Sequence, residues 1–302
     1  MKDKVMKAAD GENVLLRRLI ILAACFFVAI LIAGAAAMWI GGFFEPMSRE
    51  SFLAQSVAQN LIGFIGSSLV FAWIVSNRPI AFVGLSEPVS WRPFAGVVIA
   101  YLIGIPFLNQ LIYYNNQMHL PAAMEGIETY MRQMEDSAAE VTKIILSSTS
   151  AGGLISGVLI VGLLTGIGEE MLFRGALQRT LTAYAPMRQW SIWVAATIFS
   201  AVHMQFFGFF PRLLLGAFFG YILYSTGSLW PGIFAHALNN SLVIVTAWIA
   251  SRNPDSGLIA DEWGVETAGF PWQAILSLTV LIVFFKYCYN YFFNGKERKY
   301  LC

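Results

Sequence analysis

The chain has 302 residues, is 57% hydrophobic and only 12% charged, and has a mean hydropathy of +0.64. Soluble domains carry about 25% charged residues, so this composition excludes an ordinary soluble enzyme and predicts an all-α polytopic membrane protein, a bundle of about eight transmembrane helices. A net charge of +1 with no basic cluster excludes a nucleic-acid-binding surface.

In chain order, Lys2, Lys4, Lys7, Arg17 and Arg18 precede an apolar run over 19–40. That run is longer than the roughly 7–15-residue core of a signal peptide, and it reads as an uncleaved first span after a tail of 1–18. Further apolar segments follow at 52–75, 94–113, 152–175, 191–207, 212–225, 231–250 and 271–290. The fourth is able to run on as a longer helix, and the sixth is short for a full span. Eight crossings with the N-terminus inside put fourteen of the nineteen Lys and Arg residues on the cytoplasmic side. This asymmetry predicts both termini in the cytoplasm and suits a bacterial inner membrane.

Between the third and fourth segments, Met124, Ile127, Met131, Met134, Ala138, Val141 and Ile145 recur at spacings of three and four. This period predicts an amphipathic outer helix, either a cap on the bundle or a lid. A second outer loop, 251–269, holds Asp255, Asp261, Glu262 and Glu266 and reads as solvated. Cys25 and Cys288 lie in apolar runs and Cys302 is the last residue, a pattern that gives no disulfide framework and no thiolate metal site. The organisation is therefore a tail over 1–18, N-terminal spans and the amphipathic segment over 19–150, a chemical core over 151–250, and a loop, last span and tail over 251–302.

A charge at mid-helix in a membrane costs about 2.5–3.5 kcal/mol on insertion scales, and this chain accepts that cost in three places. In 168–174, Glu170 and Arg174 are four apart and share a helix face, while Glu169 is turned about 100° away. This division gives one structural and one working carboxylate, in the cytoplasmic part of the fourth span. The plainer reading is a helix end emerging into water with a surface ion pair. In 199–203, Phe199 and His203 share a face; in 236–240, His236 and Asn240 do. A lone histidine in an apolar helix is more often a hydrogen-bonded core residue than a catalyst, and the three sites carry weight jointly. Glu169, His203, His236 and Asn240 form a hydrolytic set. A carboxylate and an imidazole can take a proton from water, and an imidazole and an amide can hold an oxyanion. His119, in an outer loop, is unremarkable.

Elimination narrows the chemistry. All five aspartates lie in the tail or outer loops, which removes a membrane aspartate dyad. No H-E-x-x-H helix and no G-x-S-x-G elbow occurs. Glutamate and histidine remain, with or without a metal.

The ordered trio Glu169-Glu170-x-x-x-Arg174, Phe199-x-x-x-His203 and His236-x-x-x-Asn240, with the approach Tyr224-Ser-Thr-Gly-Ser-Leu-Trp-Pro-Gly-Ile-Phe-Ala-His236, resembles the CPBP family. That family groups CAAX prenyl endopeptidases of the Ras-converting type with bacterial Abi and bacteriocin-processing proteins. The resemblance covers about 155–250, a third of the chain. It implies an eight-helix intramembrane endopeptidase in which Glu169 and His203 activate water and His236 and Asn240 hold the oxyanion. Glu170 and Arg174 would support them, with Phe199 packing beside His203. The family has also been treated as metal-dependent. A zinc site would draw on His203, His236 and Glu169 or Glu170, but adjacent glutamates diverge on a regular helix, and this favours a mechanism that requires no cofactor.

The resulting expectation is a protease that cuts peptide bonds near the cytoplasmic membrane surface. Its partners are membrane lipid and a peptide or protein with a hydrophobic or lipid-tethered segment, with no nucleic acid. Pheromone or bacteriocin maturation, or self-immunity, follow from family analogy alone. A non-catalytic immunity or interaction protein and a proton-coupled transporter are the rival classes.

Overall fold

The computed structural model describes residues 2–184, 188–253 and 263–293. Nine helices organise them: α1 Lys2–Gly41, α2 Arg49–Val75, α3 Arg92–Asn116, α4 Glu125–Leu146, α5 Ala151–Ala183, α6 Arg188–Ala201, α7 Phe209–Thr226, α8 Trp230–Arg252 and α9 Trp272–Phe292. No β-strand occurs among the described residues. All eight apolar segments form helices, the fifth only as far as Ala201, and the chain is a multi-pass integral membrane protein. Most of the acidic loop, including Asp255, Asp261 and Glu262, lies outside the described residues, as does the C-terminal tail from 294.

Among the described residues seven helices are long and apolar enough to cross a membrane. The exception corrects the expected span at 191–207. α6 has 14 residues, about 21 Å at 1.5 Å per residue, against a hydrocarbon core of about 30 Å. The helix stops at Ala201, and Met204 takes a left-handed conformation (φ 54°) that turns the chain toward a short 3₁₀ turn, Phe206–Gly208. The chain therefore leaves the helix just where His203 is needed. α5 does run on as a long helix, reaching Ala183.

α4 confirms the period read from the sequence. Acidic residues occupy its first turn and Lys143 its last, which suits the helix dipole. None of its residues is buried, so it lies across the bundle rather than inside it. It is tied down at several points. Arg49 Nε donates to the Ile145 carbonyl (2.7 Å), Glu135 accepts from the Phe207 N–H (3.3 Å), and the Arg132 guanidinium sits 4.1 Å from the Phe207 ring centroid. At its start, Glu128 accepts from Arg132 and from the Leu120 N–H. With His119 alongside, these bonds hold the Glu128 carboxyl down at about 2.

The bundle has two distinct ends. At one, Arg179 donates to the carbonyls of Ala81, Phe82 and Gly227, and the Ser228 hydroxyl donates to the Glu87 carbonyl. The early part of α1 lies toward this end, with Leu22 packed among Phe64, Phe71, Leu172 and Phe173. At the other end Arg49 joins α2 to α5 and α4, and Trp248 Nε1 donates to the Thr149 carbonyl.

α5 and α8 meet along a seam of small residues. A Cβ on Gly166 would lie 3.1 Å from the Ala237 backbone nitrogen, one on Gly157 3.1 Å from Ile244, and one on Gly162 would run into the Ser241 hydroxyl. Lipid tails are as apolar as the helices, so close backbone packing does much of the work of association in a membrane. The Gly166→Leu variant is expected to force the helices apart at a cost of about 1–3 kcal/mol. A lowered melting temperature in detergent would register it, and unchanged melting would contradict close packing here. In a cysteine-free background, Asn77→Cys and Ser137→Cys should react with an impermeant thiol reagent from opposite sides of the membrane, Asn77→Cys from the cytoplasm.

Candidate active site

α5 carries both acids, and its winding changes around them. It is π-helical over Val158–Leu164, α-helical over Thr165–Glu170 and π-helical again over Met171–Gln178. π turns are rare and gather at functional sites. The neighbours Glu169 and Glu170 diverge as expected, but both end on the same imidazole. Glu170 Oε1 lies 2.9 Å from His236 Nδ1, and Glu169 Oε2 lies 3.6 Å from His236 Nε2. Adjacent glutamates therefore do serve one site, because α8 places a ring between their diverging directions.

Glu170 and Arg174 are fully buried, which overturns the reading of a surface ion pair. Arg174 Nη1 donates to Glu170 Oε1 (2.9 Å) and Nη2 to the Gly216 carbonyl (2.9 Å). The guanidinium lies 4.4 Å from the Phe199 ring centroid and 5.4 Å from that of Phe219. His236 stacks on Phe219 at 5.2 Å and meets the Phe199 edge at 5.9 Å. Phe199 also packs against His203, at 5.0 Å. One aromatic ring thus touches both histidines and the buried arginine.

Ring nitrogens facing carbonyl or carboxylate oxygens must donate. His203 Nδ1 donates to the Phe199 carbonyl (2.7 Å), and His236 Nδ1 donates to Glu170 (2.9 Å). Both Nε2 atoms are left to face Glu169, whose Oε2 is 4.0 Å from His203 Nε2. A separation of 4.0 Å is too long for a direct hydrogen bond, but one water can lie about 2.8 Å from each group and bridge them.

Glu169, His203, His236 and Asn240 line one cavity of about 360 Å³. Asn239, Arg212, Gln205 and Thr165 also line it and were not singled out from the sequence. Asn239 adjoins a chosen residue. Arg212 stood out only as one more loop charge. The Tyr101 hydroxyl donates to Asn239 Oδ1, Asn239 Nδ2 to Asn240 Oδ1 (3.0 Å), and Asn240 Nδ2 to the Val161 carbonyl (3.1 Å). This chain fixes the Asn240 amide and leaves one of its two Nδ2 protons. A separate cavity of about 370 Å³ between α3, α7 and α9 has Tyr101 as its only titratable lining group, so it offers no hydrolytic chemistry.

Thr142, Ile145 and Leu146 of α4 also line the site cavity. The cavity therefore opens toward the end that bears α4, opposite the early part of α1.

Residues 151–242 match the family model for type II CAAX prenyl endopeptidases of the Rce1-like kind. This segment is Rce1-like. The match agrees with the CPBP resemblance of the motifs and contains Glu169, Glu170, Arg174, Phe199, His203, His236 and Asn240. No curated protein and no solved structure gives a match to the chain. The Rce1-like segment spans α5 to the first half of α8; α1 to α4 and α9 lie outside it.

The donor set meets the spacing of a zinc site only in part. Zinc with ligands at 2.0–2.2 Å requires donors roughly 3.4 Å apart. Glu169 to His236 is near this at 3.6 Å, while Glu169 to His203 is wide at 4.0 Å. Among the described residues no group of three or more His, Cys, Asp or Glu side chains is arranged to hold a metal ion. Glu170 is already committed to Arg174 and His236.

Removing one partner of a buried ion pair costs about 3–5 kcal/mol, because the other charge is stranded. Arg174→Ala and Glu170→Ala are each expected to lower thermal stability in detergent sharply, while Glu169→Gln at the cavity wall should shift it little. Equal melting of all three would contradict this division.

Proposed function

We propose that this chain is an intramembrane endopeptidase that hydrolyses peptide bonds in hydrophobic or lipid-tethered substrates. The observation that carries the reading is the convergence of Glu169 Oε2 on the Nε2 atoms of His203 and His236 within one cavity inside the bundle. The Rce1-like match over the same residues supports the reaction class.

In this mechanism a water between Glu169 and His203 loses a proton to one of them as its oxygen attacks the scissile carbonyl. With Nδ1 committed to Glu170, His236 can offer a proton to the developing oxyanion only from Nε2, as the imidazolium. Glu169 and Glu170 are then its counter-charges. The remaining Asn240 Nδ2 proton is the second oxyanion donor. The leaving amine then takes the proton held by Glu169 or His203. Glu170 and Arg174 position His236, and Phe199 packs both rings.

Both imidazoles present Nε2 to the cavity with Nδ1 bonded elsewhere, an orientation that metal-ligating histidines also use. This observation favours zinc as the second reading. His203, His236 and Glu169 would have to draw closer than their present 3.6–4.0 Å separations to hold the ion, which would supply Lewis-acid activation of water.

Purified wild type, Glu169→Ala and His203→Ala assayed on a library of hydrophobic peptides, with and without chelator, test the proposal. Each variant is expected to lose about 10²–10⁴-fold in rate, and the wild type is expected to keep its rate in chelator. Cleavage by both variants at wild-type rates would remove the assignment. Activity lost to chelator and restored by zinc would select the second reading. Proton-coupled uptake in vesicles without peptide cleavage would place the chain among transporters instead.

A further inference from the structure

Among the described residues Arg212 is the one Arg or Lys on the wall of the cavity that contains Glu169, His203 and His236. It sits in the first turn of α7, and its seat is built. Nη1 donates to Gln205 Oε1 (2.9 Å) and Nη2 to the Gln205 carbonyl (3.3 Å). A Cβ on Gly208 would collide with Nη2, so the guanidinium occupies the space that a glycine leaves open. Among the described residues no carboxylate lies within ion-pair distance of Arg212; Glu135 and Glu169 act on it only through their fields. Arg174 provides the contrast. Fully buried and paired with Glu170, it has a structural partner. Arg212 has a neutral holder and guanidinium N–H groups to spare.

We propose that Arg212 is a specificity-determining residue that binds a carboxylate of the peptide substrate while the scissile bond lies at Glu169 and His203. The inference rests on the peptidase reading. A planar guanidinium presents paired N–H groups to a carboxylate, and such charge-assisted bonds are the strong ones. Gln205 fixes the plane of the fork without neutralising it, so its charge is available to a ligand. The carboxylate is either the free C-terminus of the peptide or an Asp or Glu side chain near the cleaved bond. The charge of Glu169 on the same cavity disfavours an acid placed against the catalytic centre itself. The anion belongs on the Arg212 side of the cavity, a position that sets the register of the peptide.

The test uses the full chain in detergent, with binding measured on the Glu169→Gln background and cleavage on the wild-type background. The probes are one fluorescent hydrophobic peptide as the free acid, the same peptide as its C-terminal amide, and two amides with an internal Glu or Gln. Tighter binding and higher kcat/KM by about tenfold or more is expected for the free acid over the amide, or for the Glu amide over the Gln amide. Whichever pair shows it identifies the source of the carboxylate. In Arg212→Gln the ratio should fall toward one, chiefly through KM. Gly208→Ala, which displaces the guanidinium without removing it, should narrow the ratio as well, and Arg212→Lys should keep part of it. A merely structural role would change both members of a pair alike. Equal binding of acid and amide and of Glu and Gln peptides by the parent protein, or a preference that survives in Arg212→Gln, would overturn the proposal. Carboxylate-dependent binding with no cleavage of any peptide would overturn the peptidase reading and leave the assignment of Arg212 standing.

Discussion

One carboxylate oxygen organises this protein. Glu170 Oε1 accepts from Arg174 at 2.9 Å and from His236 at 2.9 Å, so a single atom ties a turn of α5 to α8. Arg174 extends the tie to α7 through the Gly216 carbonyl and to α6 through the Phe199 ring. All four helices of the Rce1-like segment therefore meet around one buried charge pair. In a low-dielectric interior a charge without its partner is very costly, and this penalty makes the arrangement all-or-none. The cavity wall inherits its order from that network. His236 is aimed by Glu170, Phe199 steadies His203, and Glu169 is free to face them because its neighbour carries the structural duty.

Much of this was legible in the sequence because helical spacing converts directly into shared faces. The i, i+4 pairs at 170 and 174, 199 and 203, and 236 and 240 all lie together in space, and the period of α4 was readable from its apolar residues. Depth was less legible. Hydropathy marks where a helix crosses but not toward which end of the bundle a cavity lies. The shortened α6 was hidden for a similar reason. Apolar letters recur through 202–207 around His203 and Gln205, but Met204 adopts a left-handed backbone that no hydropathy window detects.

What the sequence could not supply was the set of neighbours from distant segments. Tyr101 reaches the Asn239–Asn240 pair from α3, outside the Rce1-like segment, and α4 lines the cavity with Thr142, Ile145 and Leu146. Arg212 read as one loop charge among five on its side of the membrane. Its meaning depends on Gln205 and on the absence of a side chain at Gly208, which are facts of three-dimensional placement.

The π-wound stretches of α5 have a consequence for how this chain can vary. An i→i+5 turn carries one residue more than an α turn, so a single deletion in Val158–Leu164 or Met171–Gln178 could be absorbed by reverting to ordinary winding. The helix would survive and its length would hardly change. A deletion in the α-wound stretch between them has no such slack, and every residue beyond it would rotate by about 100° relative to those before it. A loss within 165–168 would swing both acids together away from His203 and His236. Tolerance to indels in this helix is therefore decided by azimuth rather than by span length.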